Sequence, residues 1–222
     1  MALAMVRPRQ PILTRQRIVA VATAIIDAEG LQALSTRRLA NELEVRAPSL
    51  YHYFATKEEI LDAVADTVMA QVDISMFGRD DWATALGRWA RAYRAALVAH
   101  PNIVPLLARG PGRRPAALRL ADAVFGGLVD AGWPASYATR IGALMRYLLA
   151  GSSLGSFALG FVDDPALYAD AYPRLSEVHR LREHPEQVDQ GAFELGLDTL
   201  IDGLVARFPD VASAKEEKMW AH

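Results

Sequence analysis

Apolar residues recur at helical spacing along almost the whole chain, with no strand-like alternation and no internal repeat. Ile18, Val21, Ala22, Ile25 and Ile26 make the first stripe. They predict a helix from about Leu13 to Glu29, with Thr14 as its N-cap and Gly30 as its stop. Leu39, Ala40, Leu43 and Val45 mark a second, short helix and its turn, and Leu50, Tyr51 and Phe54 mark a third. Ser35 is a natural N-cap for the second helix. Pro48 suits the first position of the third, with Ala47 before it biased away from helix. Helices this short are marginal in water by themselves, so the pair must be clamped by its neighbours. Thr56 and Glu59 form a capping box that opens a fourth helix reaching about Ser75, with Ile60, Leu61, Val64, Val68 and Met69 on its buried side.

The pattern stays helical beyond Gly78. Asp81 caps a helix that runs through Trp82, Leu86, Trp89, Tyr93 and Leu97 to His100 and ends at Pro101. A short helix follows over 102–108, then a loop over 109–115, RGPGRRP. The next helix spans about Ala116 to Ala131 and stops at Gly132. Pro134 begins a long helix to about Phe161, 162–185 reads as broken helix and loop, and a last helix runs from about Glu186 to Arg207, ended by Phe208-Pro209. The first twelve residues read as a basic arm and the tail AKEEKMWAH as frayed. The expectation is an all-α chain with a three-helix head over 1–62 and a larger helical body over 63–222.

With 52% hydrophobic and 23% charged residues over 222 positions, the chain is globular and long enough to bury a sizeable core. It has no cysteine, which removes disulfides, thiolate zinc sites and a cysteine nucleophile and fits the reducing cytoplasm expected for it. No apolar run approaches the roughly 18 residues of a membrane span, and no signal peptide is evident. The total charge of −2 hides an asymmetry: the first 57 residues carry eight basic and four acidic side chains, net +4, which leaves −6 for the rest. A basic end on an acidic body points to a polyanion at the small end, with chance surface composition as the bland alternative.

A short, clamped helix with polar and aromatic residues on its free face is the geometry that a helix-turn-helix presents to the major groove of DNA. The amide groups at the start of the second helix, beside Thr36, Arg37 and Arg38, favour an anion such as a DNA phosphate. Arg46 and His52 are candidate contacts by polarity. An arginine can read guanine with two hydrogen bonds, and Pro48 or Ala47 can touch a thymine methyl.

The run TRRLANEL followed by V-x-A-P-S-LYHYF-x-x-K-E-E-I-L resembles the TetR (tetracycline-repressor) family of bacterial transcriptional regulators over about residues 14–62. By that resemblance Thr36 and Arg37 contact backbone or bases, and Ala47, Pro48 and Ser49 form the front of the recognition helix. Tyr51 and Tyr53 lie near the groove floor and backbone, and Lys57 contacts a phosphate. One departure stands out: the family usually has Gly in the turn between the second and third helices, where this chain has Glu44. The resemblance implies a homodimer on a double-stranded DNA operator, released by a small-molecule inducer, with no cofactor and no membrane. The long helix and the last one would meet a second subunit. Gly151 and Gly155 would permit close approach there, with Leu197, Leu200, Ile201 and Leu204 on the last helix. A repressor is the expected role, although sequence does not fix the sign of regulation.

Within the body, Trp89, Tyr93, Phe125, Tyr137 and Phe157 are candidates to line an apolar ligand pocket, with His100 at its edge. Arg146 is a single charge inside IGALMRYLL, suited either to an anionic ligand group or to an acid of the chain itself. Gly151-Ser152-Ser153-Leu154-Gly155 matches G-x-S-x-G, but a nucleophile elbow follows a strand and this stretch follows helix, so an enzyme is not expected. His179 and His184, five residues apart, do not share a helix face, and no metal site is expected. A small-molecule binding protein without operator specificity is the alternative, motivated by Glu44 and the modest charge of the head.

Overall fold

The computed structural model describes residues 13–107, 110–169 and 171–213; the basic arm, Arg109 and the tail from 214 lie outside them. Every regular element among the described residues is helical, and none of these helices is long and apolar enough to cross a membrane. The chain divides between Val64 and Ala65 into two compact units.

In the first unit, α1 (Arg15–Glu29) starts where the Thr14 hydroxyl accepts the amide of Arg17 at 3.1 Å and stops at Gly30, whose φ of 87° no L-residue adopts readily. Helix α2 (Thr36–Glu42) is capped by Ser35, which accepts the Arg38 amide at 3.1 Å. Helix α3 (Ala47–Leu50) is a single turn, and it begins one residue before the expected Pro48. Proline fits the second position as well as the first, because neither amide there has a partner inside the helix. Helix α4 (Lys57–Ala70) opens on the Thr56–Glu59 box. Thr56 accepts the Glu59 amide at 3.1 Å, and the Glu59 carboxylate takes the Ala55 amide at 2.8 Å. Ile18, Ile26, Leu34, Leu39, Leu43, Leu50, Phe54 and Ile60 make the core of this unit. Tyr51, grouped with Leu50 and Phe54 by spacing, instead stands 54% exposed.

Helix α4 ends at Ala70, well before the expected Ser75. The Asp73 carboxylate takes both the amide and the hydroxyl of Ser75, at 2.9 and 3.0 Å, and this local turn replaces further helix. The remaining helices are α5 (Trp82–Ala99), α6 (Val104–Leu107), α7 (Pro115–Asp130), α8 (Ala135–Gly151), α9 (Pro165–Ala169) and α10 (Pro185–Ser213). Asp81 caps α5 by accepting the amides of Ala83 and Thr84, both at 3.1 Å. Helices α7 and α8 pack against each other, and α5 lies against α7, α8 and α10. Arg91 on α5 bridges to Glu194 and Asp198 on α10, at 2.8 and 3.0 Å.

Two helix ends differ from expectation. Helix α8 stops at Gly151 instead of reaching Phe161, so Gly155 lies beyond it. The run GSSLGS has poor helix propensity, and the Ser152 hydroxyl bonds back to the Leu149 carbonyl at 3.2 Å, closing the last turn. Helix α10 runs through Phe208-Pro209 to Ser213, although an interior proline removes one helical hydrogen bond and costs about 3 kcal/mol. Packing outweighs that cost. The Phe208 ring is held 4.9 Å from Trp133 and 5.5 Å from Trp82, in the same aromatic cluster in which Trp82 and Trp133 meet edge to face at 5.2 Å.

Candidate nucleic-acid interface and ligand cavity

In the first unit the candidate DNA contacts occupy the start of α2, the whole of α3 with its following turn, and the start of α4. Arg37, Arg46, Pro48, Tyr51 and His52 are exposed, while Thr36, Ala47, Ser49, Tyr53 and Lys57 are half-buried. The neighbouring cations are already engaged. Arg38 pairs with Glu29 at 3.0 Å and with Glu42 at 3.7 Å. Arg15 lies 4.0 Å above the Phe54 ring and donates to the Tyr53 carbonyl. The Tyr53 hydroxyl donates to the carbonyl of Leu13 at 2.8 Å, so this side chain ties the chain before α1 to the end of α3. Its hydroxyl proton is thus engaged inside the head.

The turn between α2 and α3 is set by Glu44, a non-glycine residue with positive φ, 57°. Its amide donates to Asn41 at 3.1 Å and the Val45 amide donates to Ala40 at 2.9 Å, so the left-handed step is what closes α2. A side chain in this conformation costs about 1–2 kcal/mol, partly offset by the chain entropy that glycine would lose on folding. Glu44→Gly is therefore expected to stabilise the head by about 0.5–1 kcal/mol, read as several-fold slower amide exchange in α1–α3.

The second unit holds a cavity of about 490 Å³ bounded by α5, α6, the loop before α7, α7 and α8. Trp89, Tyr93, Phe125 and Arg146 line it, while His100, Tyr137 and Phe157 do not. His100 closes the C-terminus of α5. Tyr137 stacks on Trp133 at 6.1 Å, and Phe157 lies past the end of α8, 65% exposed and against Phe161 at 5.2 Å. Sequence reasoning missed Gly110, Arg114, Asp122, Thr139 and Gly142 on the wall. The loop RGPGRRP has no periodicity to place it, and its concentration of cations beside an apolar helix was the available signal.

Arg114 is buried, with its Nε donating to the Pro111 carbonyl at 3.0 Å and its Nη2 to the Gly110 carbonyl. Burial pushes the Tyr93 hydroxyl pKa up, opposed by the nearby charges of Arg114 and then Arg146. The Asp66 carboxylate on α4 accepts the amides of Ala116 and Ala117 at 2.7 and 3.4 Å. It thus caps α7 immediately after Arg114 and joins α4 to the wall of the cavity.

The expected intersubunit residues are only partly available to a second chain. Leu197 is fully buried, Leu204 is 9% exposed, and a methyl group on Gly87 of α5 would come within 3.1 Å of Ile201. Leu197 and Leu204 therefore serve packing within the chain, while Ile201 is half-buried beside α5. Leu200 is half-buried, and Gly151 and Gly155 are exposed. The outward apolar residues are Leu144 and Tyr147 on α8 and Leu195 and Val205 on α10. Ser153 of the G-x-S-x-G run is buried just past the end of α8, with no strand before it.

The sequence matches two family models, the N-terminal domain of bacterial regulatory proteins of the tetR family over residues 18–64 and the tetracyclin repressor-like C-terminal domain over residues 76–208. It is 31% identical to the tetracycline repressor protein class A from transposon 1721 of Escherichia coli, over 86% of this chain and 89% of that protein. Among solved structures, a possible TetR family transcriptional regulator from Streptomyces coelicolor A3(2) superposes with a TM-score of 0.73 at 33% identity, over 87% of this chain and 99% of that one. The Streptomyces coelicolor TetR family protein ActR in complex with actinorhodin superposes with a TM-score of 0.70 at 29% identity, over 88% and 98%. With both units matched in sequence and the fold shared over 87% of the chain, the chain belongs to the TetR family and is a DNA-binding transcriptional regulator.

Proposed function

We propose that this regulator is a homodimeric repressor that binds a near-palindromic operator through two heads and is released by a small molecule held in the body. The observation that carries this reading is the exposed polar and aromatic set on and around α3, beside Arg38, which is engaged in ion pairs, and Arg15, which is engaged with the Phe54 ring. Two such heads would meet adjacent turns of the major groove about 34–36 Å apart. Arg46 would read a base edge and Arg37 and Lys57 the phosphates. The relatives support the rest: one is named a tetracycline repressor, and another was solved with actinorhodin bound. The cavity is of the size that small-molecule sites take. Leu144, Tyr147, Leu195 and Val205 would be buried by the second copy.

Release follows only if the effector binds the DNA-incompetent state more tightly, by several kcal/mol for a near-complete switch. Asp66 supplies a route for such a bias, because a shift of the cavity loop also moves the start of α7, to which its carboxylate is bonded.

Retention of sheared host DNA on the purified protein, followed by sequencing, tests the proposal. One sharply enriched palindrome is expected. Arg46→Ala should then weaken binding of that fragment by about 1–3 kcal/mol and relax specificity at one position, while Lys57→Ala should weaken all sequences alike and flatten the salt dependence. Uniform recovery of fragments, with steep salt dependence and no preferred site, would instead make the chain a small-molecule binding protein whose head recognises DNA only as a polyanion. Glu44, which brings negative charge to the turn before α3, is the feature that favours this second reading.

A further inference from the structure

Most polar groups on the cavity wall are already committed. Arg114 is held by the carbonyls of Pro111 and Gly110, and the Asp66 carboxylate sits on the amides two and three residues after it. The Thr139 hydroxyl donates to the Ala135 carbonyl at 3.0 Å. Asp122 and Arg146 are exposed, so water competes for them. Trp89 Nε1 has no partner among the described residues, but it is sealed from solvent and so lies behind the wall, not on it. The Tyr93 hydroxyl differs from all of these. It makes no hydrogen bond among the described residues, and it is not sealed. Tyr93 is half-buried on the cavity wall, in edge contact with Trp89 at 5.4 Å. Burial, opposed by the charges of Arg114 and then Arg146, keeps it a neutral phenol. A donor cut off from water without a partner is unfavourable, and phenylalanine would pack the same ring without it.

We propose that the cavity is selective for a flat, apolar ring system with a hydrogen-bond acceptor on its edge, a ring ketone being the simplest case, and that the Tyr93 hydroxyl donates to that acceptor. The inference rests on reading the cavity as the effector site, and it names the class of effector. The rest of the lining sets the shape. Trp89 and Phe125 add aromatic surface, and Leu107, Leu120, Val124 and Leu149 are aliphatic. Offset stacking on such rings favours a flat partner. Specificity then comes from one donor, because a ligand without an acceptor leaves the hydroxyl stripped of water and unpaired.

Two tricyclic probes of one outline separate the donor from the shape: 9-fluorenone and fluorene, the second lacking the ketone. Each is held at trace concentration in equilibrium dialysis while the concentration of the full chain is raised. Tyr93→Phe should weaken fluorenone by about threefold to tenfold, the range of one neutral hydrogen bond, and leave fluorene bound as well or better. The readout is the change for one probe divided by the change for the other, in which differences of solubility cancel. The urea midpoint of Tyr93→Phe should equal that of the unsubstituted chain or exceed it, since the hydroxyl has no bond to lose. A lowered midpoint with fluorenone binding unchanged would show that the hydroxyl serves the fold, and would overturn the proposal.

Gly142→Leu locates the binding. Gly142 lines the cavity inside α8, a methyl group there meets nothing within 4 Å, and leucine is the better helix former. This variant should weaken both probes by at least about tenfold. An equal change for both probes in Tyr93→Phe, or none for either, with Gly142→Leu still blocking them, would overturn the acceptor while leaving the cavity as a ligand site. Binding of both probes unchanged in Gly142→Leu, or no binding of either to the unsubstituted chain, would remove the cavity reading itself, and the acceptor with it.

Discussion

Phe54→Ala abolishes retention of any specific DNA fragment while the body stays folded: this is the expected result of emptying the centre of the head. Phe54 is 2% exposed, and Arg15 covers its ring at 4.0 Å. Truncating a buried phenylalanine costs about 3–5 kcal/mol in lost transfer energy and residual cavity. At about 0.05–0.15 kcal/mol per residue, a unit of some fifty residues has only about 2.5–7.5 kcal/mol of stability to lose. The substitution therefore consumes most of it. The consequence reaches function directly, because α3 is one turn long and has no stability apart from the core beneath it. Amide exchange resolves the effect: α1–α3 should lose protection while α5, α7 and α8 keep theirs. Retained protection in α1–α3 would mean that the core closes over the missing ring.

The second large effect belongs to the body. Trp133→Ala should lower its unfolding free energy by about 3–5 kcal/mol, whereas Trp133→Phe should cost no more than about 1–2. Trp133 is 2% exposed and is the shared partner of Trp82, Tyr137 and Phe208. Its indole Nε1 is nevertheless buried without a hydrogen-bond partner among the described residues. Alanine removes the ring contacts outright. Phenylalanine keeps one ring in the cluster and deletes the unsatisfied donor, a gain of about 1–3 kcal/mol that offsets much of the lost volume. Urea unfolding followed by far-UV circular dichroism checks both variants. Equal destabilisation by the two would show that the indole nitrogen is paired in solution, with a water as the nearest candidate.

The cluster around Trp133 also explains why α10 runs past a local stop signal. Phe208-Pro209 is a stop signal in local terms, since proline cannot donate and crowds the preceding turn. Helix α10 continues because Phe208 is anchored on Trp82 and Trp133, residues more than seventy positions away that no local window contains. The opposite case at α8 has the same origin. The small residues after Gly151 suit close helix packing, and only the turn closed by Ser152 shows that the helix has already ended.

What the sequence determined by itself was whatever depends on neighbours a few residues apart. Thr14, Ser35, Thr56 and Asp81 each cap the helix that spacing assigned to them. Period 3.6 marked Ile18, Leu39, Leu50, Phe54 and Ile60 for the core, and the TetR likeness was legible in contiguous motifs of the head. Only the tertiary structure decided how distant segments share a surface. It turned Leu197 and Leu204 inward, because α10 packs against α5. It took the Tyr53 hydroxyl for Leu13, and it brought Gly110 of an aperiodic loop against Arg146, 36 residues later. Helical stripes record which residues avoid water. They carry no information on which stripe faces which, and the wall of a cavity is made by that pairing.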